Sequence, residues 1–335
     1  MPRVSVLLPV RDAGPFLGPC LASLAAQSLA DHEVVAVDDG SSDGSRALLD
    51  DAARTDPRVR VVATGRRGLV SALNTALREA RAPLAARMDA DDVAHIERLA
   101  IQAARLETDV ATDILGCRVR LVGGPAAGNA GMQAYVAWQN SLIEHDAIVR
   151  DIWVESPLAH PSVMARTQLL RALGGYREID GPEDYDLWLR SHAAGRRFAK
   201  TPETLLDWRD RPDRLTRTDP RYSPDRFLAL KVEALLTGPL RQDRPIVVWG
   251  AGPVGKAWAR ALAACGRPVA AFVEVDPRKI GQRIHEAPVI GVSGVASRAG
   301  ALHLAAVGDA SARWRIRFEA SRLGLVDGRD LIAVA

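Results

Sequence analysis

The sequence predicts an α/β protein with a mixed sheet carrying helices on both faces, followed by a second, smaller α/β domain. Two observations carry that prediction. Over the first hundred residues, short apolar runs alternate with segments of helical spacing, joined by short loops, which is the pattern of a mostly parallel sheet. From Pro245 onward a new apolar run enters a glycine-rich turn and then a helix, the opening of a second such sheet. A chain of 335 residues accommodates two domains with a core in each. The expected boundaries are 1–237 for the first, 238–245 for a linker and 246–335 for the second.

Residues 4–10 form the first predicted strand, and 16–27 a helix with Leu17, Leu21 and Leu24 on one face. Strand 32–38 ends in Asp38-Asp39-Gly40-Ser41-Ser42-Asp43-Gly44, where Asp43 is placed to cap the next helix. A third strand at 59–62 is followed by a helix at 69–81. A fourth at 84–88 opens into Asp89-Ala90-Asp91-Asp92, with a helix expected from Val93. Ligands of such sheets sit beyond the carboxyl ends of the strands. Pro9, Arg11, Asp38, Asp39, Asp89 and Asp91 all fall there and are expected to converge.

Three carboxylates within four positions repel one another unless something positive neutralises them. Mg²⁺ or Mn²⁺ suits that task, because hard divalent cations prefer oxygen ligands and share carboxylates with substrate phosphates. A solvated acidic turn is the competing reading.

Beyond this point come a strand at 113–121, a loop at 123–131 that is a candidate flap, and helical character over 132–149, where Trp138 is expected in the core. The turn Gly181-Pro182 leads into Glu183 and Asp184 in the first turn of a helix, where the helix N-terminus favours an anion. His160 and Trp188 are candidates for the acceptor side. Arg209, Arg211, Arg214 and Arg217 form a basic cluster suited to phosphate oxygens.

In order along the chain, Leu7-Leu8-Pro9-Val10-Arg11, Val37-Asp38-Asp39-Gly40-Ser41-Ser42-Asp43-Gly44 and Met88-Asp89-Ala90-Asp91-Asp92 resemble the family 2 glycosyltransferases of the GT-A fold. The resemblance extends over about the first 235 residues. It implies transfer of a sugar from a nucleotide-sugar donor, with inversion, to a glycan or lipid-linked acceptor. It also implies that Pro9 and Arg11 line the base pocket, that Asp39 contacts base or ribose, and that Asp89 and Asp91 reach the ribose and the metal. Arg209 would close over the donor phosphates. Direct displacement at an anomeric carbon needs one base on the acceptor hydroxyl. By the resemblance that base is Asp184, with Glu183 as the alternative.

In the last ninety residues, Gly250-Ala251-Gly252-Pro253-Val254-Gly255 sits between a strand and a helix, and Glu274 follows the second strand, placed to hold a ribose. Only two further strands are expected, near 288–291 and 302–307. This part resembles the small Rossmann-like domain at the N-terminus of sugar O-acyltransferases, including Asp276-Pro277-Arg278-Lys279-Ile280-Gly281. Nucleotide binding and a purely structural role are both open for it.

The net charge of +3 is uneven: 13 Lys and Arg face 7 Asp and Glu from Arg244 onward, against 31 and 34 before it. The Arg313–Phe318 stretch is a candidate for contact with an anionic membrane. No apolar run reaches the roughly 20 residues of a bilayer span, and three scattered cysteines suit a reducing cytoplasm. A nucleic-acid partner is not expected. The rival functions are a non-catalytic nucleotide-sugar sensor, an NAD(P)-dependent oxidoreductase built on the second domain, and a nucleotidyltransferase.

Overall fold

The computed structural model describes residues 1–124, 130–298 and 300–335, so part of the expected flap, 125–129, lies outside the described residues. The chain divides into two compact units: Met1–Ile148 with Pro157–Tyr222, and Val149–Ser156 with Ser223–Ala335.

In the first unit the strands are β1 (Val4–Val10), β2 (His32–Asp38), β3 (Val59–Ala63), β4 (Leu84–Arg87), β5 (Val93–Ala94), β6 (Ile114–Val122), β7 (Met164–Arg166) and β8 (Phe198–Arg209). They lie in the order β3-β2-β1-β4-β7-β6-β8-β5. The first four are mutually parallel, while β7 runs antiparallel to both β4 and β6, which makes the sheet mixed. Strands β1 and β2 are buried along their whole length, and covering both faces explains their near-continuous apolar sequences. The helices are α1 (Gly14–Ala25), α2 (Ser45–Thr55), α3 (Leu69–Glu79), α4 (Arg98–Thr108), α5 (Ala130–Ser141), α6 (His145–Asp151), α7 (Thr167–Ala172), α8 (Glu183–Ala193) and α9 (Leu215–Thr218).

Two helix expectations need correction. No helix starts at Val93: Val93 and Ala94 pair with Asp207 and Leu206 of β8, and α4 begins only at Arg98. The predicted helix over 132–149 breaks between Ser141 and His145, where the Lys200 amide takes the Ile143 carbonyl at 2.8 Å. In both places strand β8, distant in sequence, supplies backbone partners that local periodicity does not reveal.

The second unit holds α10 (Pro224–Thr237), β9 (Ile246–Trp249), α11 (Pro253–Ala264), β10 (Ala271–Val273), β11 (Arg283–Ile284), β12 (Ala287–Ile290), β13 (Leu302–Ala305), α12 (Ala310–Arg322) and β14 (Leu331–Ala333). The order is β11-β12-β10-β9-β13-β14, parallel except for the β11–β12 pair. Five parallel strands are one more than the sequence suggested; β14 is three residues long and too short to show a period. The glycine turn is fixed by packing. A Cβ on Gly255 would stand 1.9 Å from the Gly250 carbonyl oxygen, and Gly250 itself has φ of +98°.

Candidate active site

At the ends of β1 and β2, Asp38 and Asp39 are buried, and each carboxylate is already committed to the surrounding loop. Asp38 accepts from the Ser41 amide at 3.0 Å and lies 3.9 Å from Arg46. Asp39 accepts from the amides of Arg67 (2.6 Å) and Gly68 (2.9 Å) and from the Thr64 hydroxyl (3.0 Å), with Arg11 at 3.8 Å. A carboxylate offers about four acceptor sites, so Asp39 retains capacity for one further donor. Pro9 is buried within β1 opposite Val37, whereas Arg11 is exposed beside Asp39. Asp43 accepts from the amides of Gly14 (2.8 Å) and Ser45 (3.0 Å), joining the starts of α1 and α2.

The loop after β4 gathers the acids. One carboxylate oxygen from each of Asp89, Asp91 and Asp92 lies within 4.8 Å of the others. Burial, with Asp89 beside it, pushes the Asp91 carboxyl up, although Arg211 stands 3.4 Å away. Asp92 is pushed well up, first by burial and then by Asp89 and Asp91. Its Oδ1 accepts from the Arg209 amide at 2.7 Å, while its buried Oδ2 has no hydrogen-bond partner among the described residues. An anionic oxygen buried without a partner costs free energy, and an all-oxygen donor set of this kind fits a hard divalent cation.

Arginines surround the cluster in an arrangement the sequence did not specify. Arg209 turns its guanidinium to the Asp91 carbonyl (2.9 Å), and Arg211 is the one facing the Asp91 carboxylate. Both stack over Phe16, at 5.1 and 4.8 Å from the ring centre. Arg217 is committed to buried Asp210 at 2.8 Å. Arg87, buried at the end of β4, pairs with Asp89 at 2.6 Å. Arg98, also buried, donates to the Arg87 carbonyl at 2.7 Å and holds that strand end.

Helix α8 brings the second set of acids. Pro182 precedes it, and its first turn carries Glu183, Asp184 and Asp186. Glu183 is buried; its Oε2 accepts from the Tyr222 hydroxyl at 2.5 Å, and its Oε1 lies 3.8 Å from His160 Nδ1. Burial raises its carboxyl, opposed by the Tyr222 hydrogen bond and by the charge of Arg87. Asp184 is half-buried and accepts from the Tyr185 amide at 2.8 Å. Asp186 is held by Arg190 (2.7 Å) and Arg177 (3.3 Å). His160 Nε2 and the Tyr176 hydroxyl share a hydrogen at 3.0 Å, and burial next to Arg87 keeps the imidazole well below its ordinary range.

Arg87 therefore feels Asp89 on one side and Tyr176 and Glu183 on the other. Asp89 of the acid loop pairs with this buried guanidinium, and Glu183 of α8, some ninety residues on, feels its charge. Trp188, an acceptor-side candidate, offers no open surface: it is 1% exposed, with the His160 ring set against it edge-on. His160 is also buried and serves the Tyr176–Glu183 network.

Comparison with known sequences decides the family. A model described as glycosyl transferase family 2 matches residues 5–173, half the chain, including β1, β2 and the acid loop. The chain belongs to glycosyltransferase family 2. This glycosyltransferase is 28% identical over 244 residues to the uncharacterised glycosyltransferase EpsJ of Bacillus subtilis, covering 70% of its own length and 69% of the relative. Its fold matches S. aureus TarS 1–349, solved in complex with UDP-GlcNAc, at a TM-score of 0.56 and 19% identity, over 78% of this chain and 72% of that one. It also matches the mannosyltransferase PcManGT of Pyrobaculum calidifontis, solved with GDP-Man and Mn²⁺, at 0.52 and 22%, over 79% and 75%. The GT-A fold expectation holds for the large mixed sheet.

In the transferase's second unit, Gly252 stands just before α11, and Glu274 reaches across to the Ala251 amide at 3.3 Å. Burial works to raise the Glu274 carboxyl, yet Lys279 at 2.8 Å and three backbone amides hold it below its ordinary range. Lys279 thus occupies the carboxylate assigned to a ribose. No helix among the described residues is long and apolar enough to cross a membrane.

Arg87, Tyr176 and Tyr222 were not singled out as site residues from the sequence, and Arg211 only as one of a basic cluster. One signal was legible: Arg87 is the lone charge in Leu84-Ala85-Ala86-Arg87-Met88, directly before the acid loop.

Proposed function

We propose that this enzyme transfers a sugar from a nucleotide-diphosphate sugar to a hydroxyl of a glycan or lipid-linked acceptor, with inversion at the anomeric carbon. The observation that carries this reading is the Oδ2 of Asp92, buried without a partner among the described residues inside a cluster of three carboxylates. The donors present in the TarS and PcManGT structures agree with it.

Asp39 accepts from the donor's base or ribose through its remaining lone pair, with Arg11 at the pocket's edge and Pro9 as its buried floor; Asp38 holds the loop behind it. Asp89, Asp91 and Asp92 would hold Mn²⁺ or Mg²⁺, which as a Lewis acid lowers the cost of the departing diphosphate's charge. Arg211, with Arg209 beside it, adds positive charge where that anion develops. Asp184, the less buried of the two α8 acids, takes the proton from the acceptor hydroxyl. Glu183 is committed to Tyr222 and positions the start of α8. The reaction takes place on the cytoplasmic side, where nucleotide sugars are made. In the second unit, the parallel strand order and the Gly250–Gly255 packing support kinship with the nucleotide-binding domain of sugar O-acyltransferases.

The test is a screen of nucleotide sugars with Mn²⁺ or Mg²⁺, scoring nucleoside diphosphate release by the full chain and by Asp91→Ala and Asp184→Asn. Turnover by the wild type, lost in both variants, is expected. Full turnover by both variants would end the site assignment.

A further inference from the structure

Helix α12 is turned inside out. Two of its four arginines point into the second unit: Arg313 donates to the Ala335 carbonyl at 2.7 Å, and Arg317 pairs with Asp151 (2.7 Å) and Asp327 (2.9 Å). Its two large aromatics point out. Trp314 is 64% and Phe318 50% exposed, and their rings stack at 5.5 Å with 10° between planes. Folding alone favours the opposite arrangement, in which aromatics fill the core and guanidinium groups reach water. A local rule broken this way, with the buried arginines supported by specific partners, marks a surface kept for binding.

The exposed face also carries a positive surplus, with Glu319 as an acid beside it. Arg315 and Arg322 flank the aromatic pair, and among the described residues Arg315 has no ion-pair partner. Arg322 meets only Glu319, at 3.4 Å and largely in solvent, which binds it weakly. Leu323 and Val326, 38% and 47% exposed, extend the apolar strip. From Arg244 onward the chain carries a surplus of six positive charges.

We propose that this face of α12 docks on an anionic phospholipid surface. Trp314 and Phe318 enter at headgroup depth, and Arg315 and Arg322 pair with lipid phosphates. A second copy of the chain fits less well, because a two-fold pairing would set arginines against arginines with only Glu319 to offset them.

The experiment is sedimentation of the full chain with vesicles of phosphatidylglycerol mixed with phosphatidylcholine, and with phosphatidylcholine alone. Binding to the mixed vesicles that falls with salt is expected. The Arg315→Glu/Arg322→Glu variant loses roughly 30-fold or more in partitioning, since each surface arginine contributes about fivefold. Trp314→Ala and Phe318→Ala lose roughly tenfold each. Thermal melts confirm that the exposed substitutions leave folding intact. Equal binding to both vesicle types would overturn the proposal, as would indifference to either set of substitutions. Concentration-dependent dimerisation abolished by Trp314→Ala, without vesicle binding, would assign the face to a second copy instead.

Discussion

Replacing Asp92 by Asn tests whether the acid cluster is built for a cation. Two unit charges 4.8 Å apart repel by about 3.5 kcal/mol at an effective dielectric constant of 20. Asp92 faces two such neighbours, so the gross repulsion is about 7 kcal/mol. Arg87 on Asp89 and Arg211 on Asp91 offset much of it, and uptake of a proton by Asp92 relieves more, leaving roughly 2 kcal/mol. The carboxyl is raised in the folded state, so folded protein binds more protons than unfolded across the window above the ordinary carboxylate range. Stability from this group accordingly falls as pH rises through that window. In EDTA at about pH 8, Asp92→Asn is therefore expected to melt roughly 4–8 °C above wild type, with the gap closing towards about pH 4. Adding Mn²⁺ raises the wild-type melting temperature and raises that of the variant less. Differential scanning fluorimetry reads both. A variant that melts below wild type in EDTA, together with a wild type unmoved by Mn²⁺, would refute the reasoning.

The remaining tests address the base, the second unit and a buried lysine. Asp184→Asn is expected to lower kcat by roughly 10²–10⁴ with little change in donor KM, while Glu183→Gln loses much less; nucleoside diphosphate release distinguishes them, and the reverse order would move the base to Glu183. Gly255→Ala places a methyl group 1.9 Å from the Gly250 oxygen and is expected to cost more than about 3 kcal/mol, seen as an early unfolding step in a thermal melt. Lys200 is buried and donates to the carbonyls of Gln139 and Pro157, and burial lowers its pKa to about 7. Between that value and the ordinary lysine value the unfolded state binds more protons, so its contribution makes stability rise with pH. Lys200→Met flattens that rise, which urea midpoints at about pH 7 and about pH 9 measure.

What the sequence disclosed follows physical lines. Strands β1, β2 and β4 are apolar because both faces are covered, and acids follow at the ends of β2 and β4, so the periodicity already located those strand ends. Strands β5, β7 and β14 have two or three residues each and exist because a distant strand offers an edge, which no local period records. The burial of Trp188 was hidden for a related reason. Its place on α8 is compatible with either face, and only the packing of His160 against it settles that it is interior.

Between the acid loop and α8 lies one buried cation, Arg87, paired with Asp89 and within the field of Glu183. Arg87 leaves β4 from a position that alternation would give to an apolar residue, and Arg98 fixes its backbone from behind. A guanidinium buried there is tolerable because Asp89 pairs with it and the Met88 carbonyl accepts from it, with Glu183 in its field. Arg87 thus pairs with the acid loop after β4, and its charge reaches Glu183 in the first turn of α8. Arg87→Lys keeps the charge but loses the fork that reaches both the Met88 carbonyl and Asp89. Arg87→Lys is accordingly expected to lower nucleoside diphosphate release, and full turnover by that variant would remove Arg87 from the site.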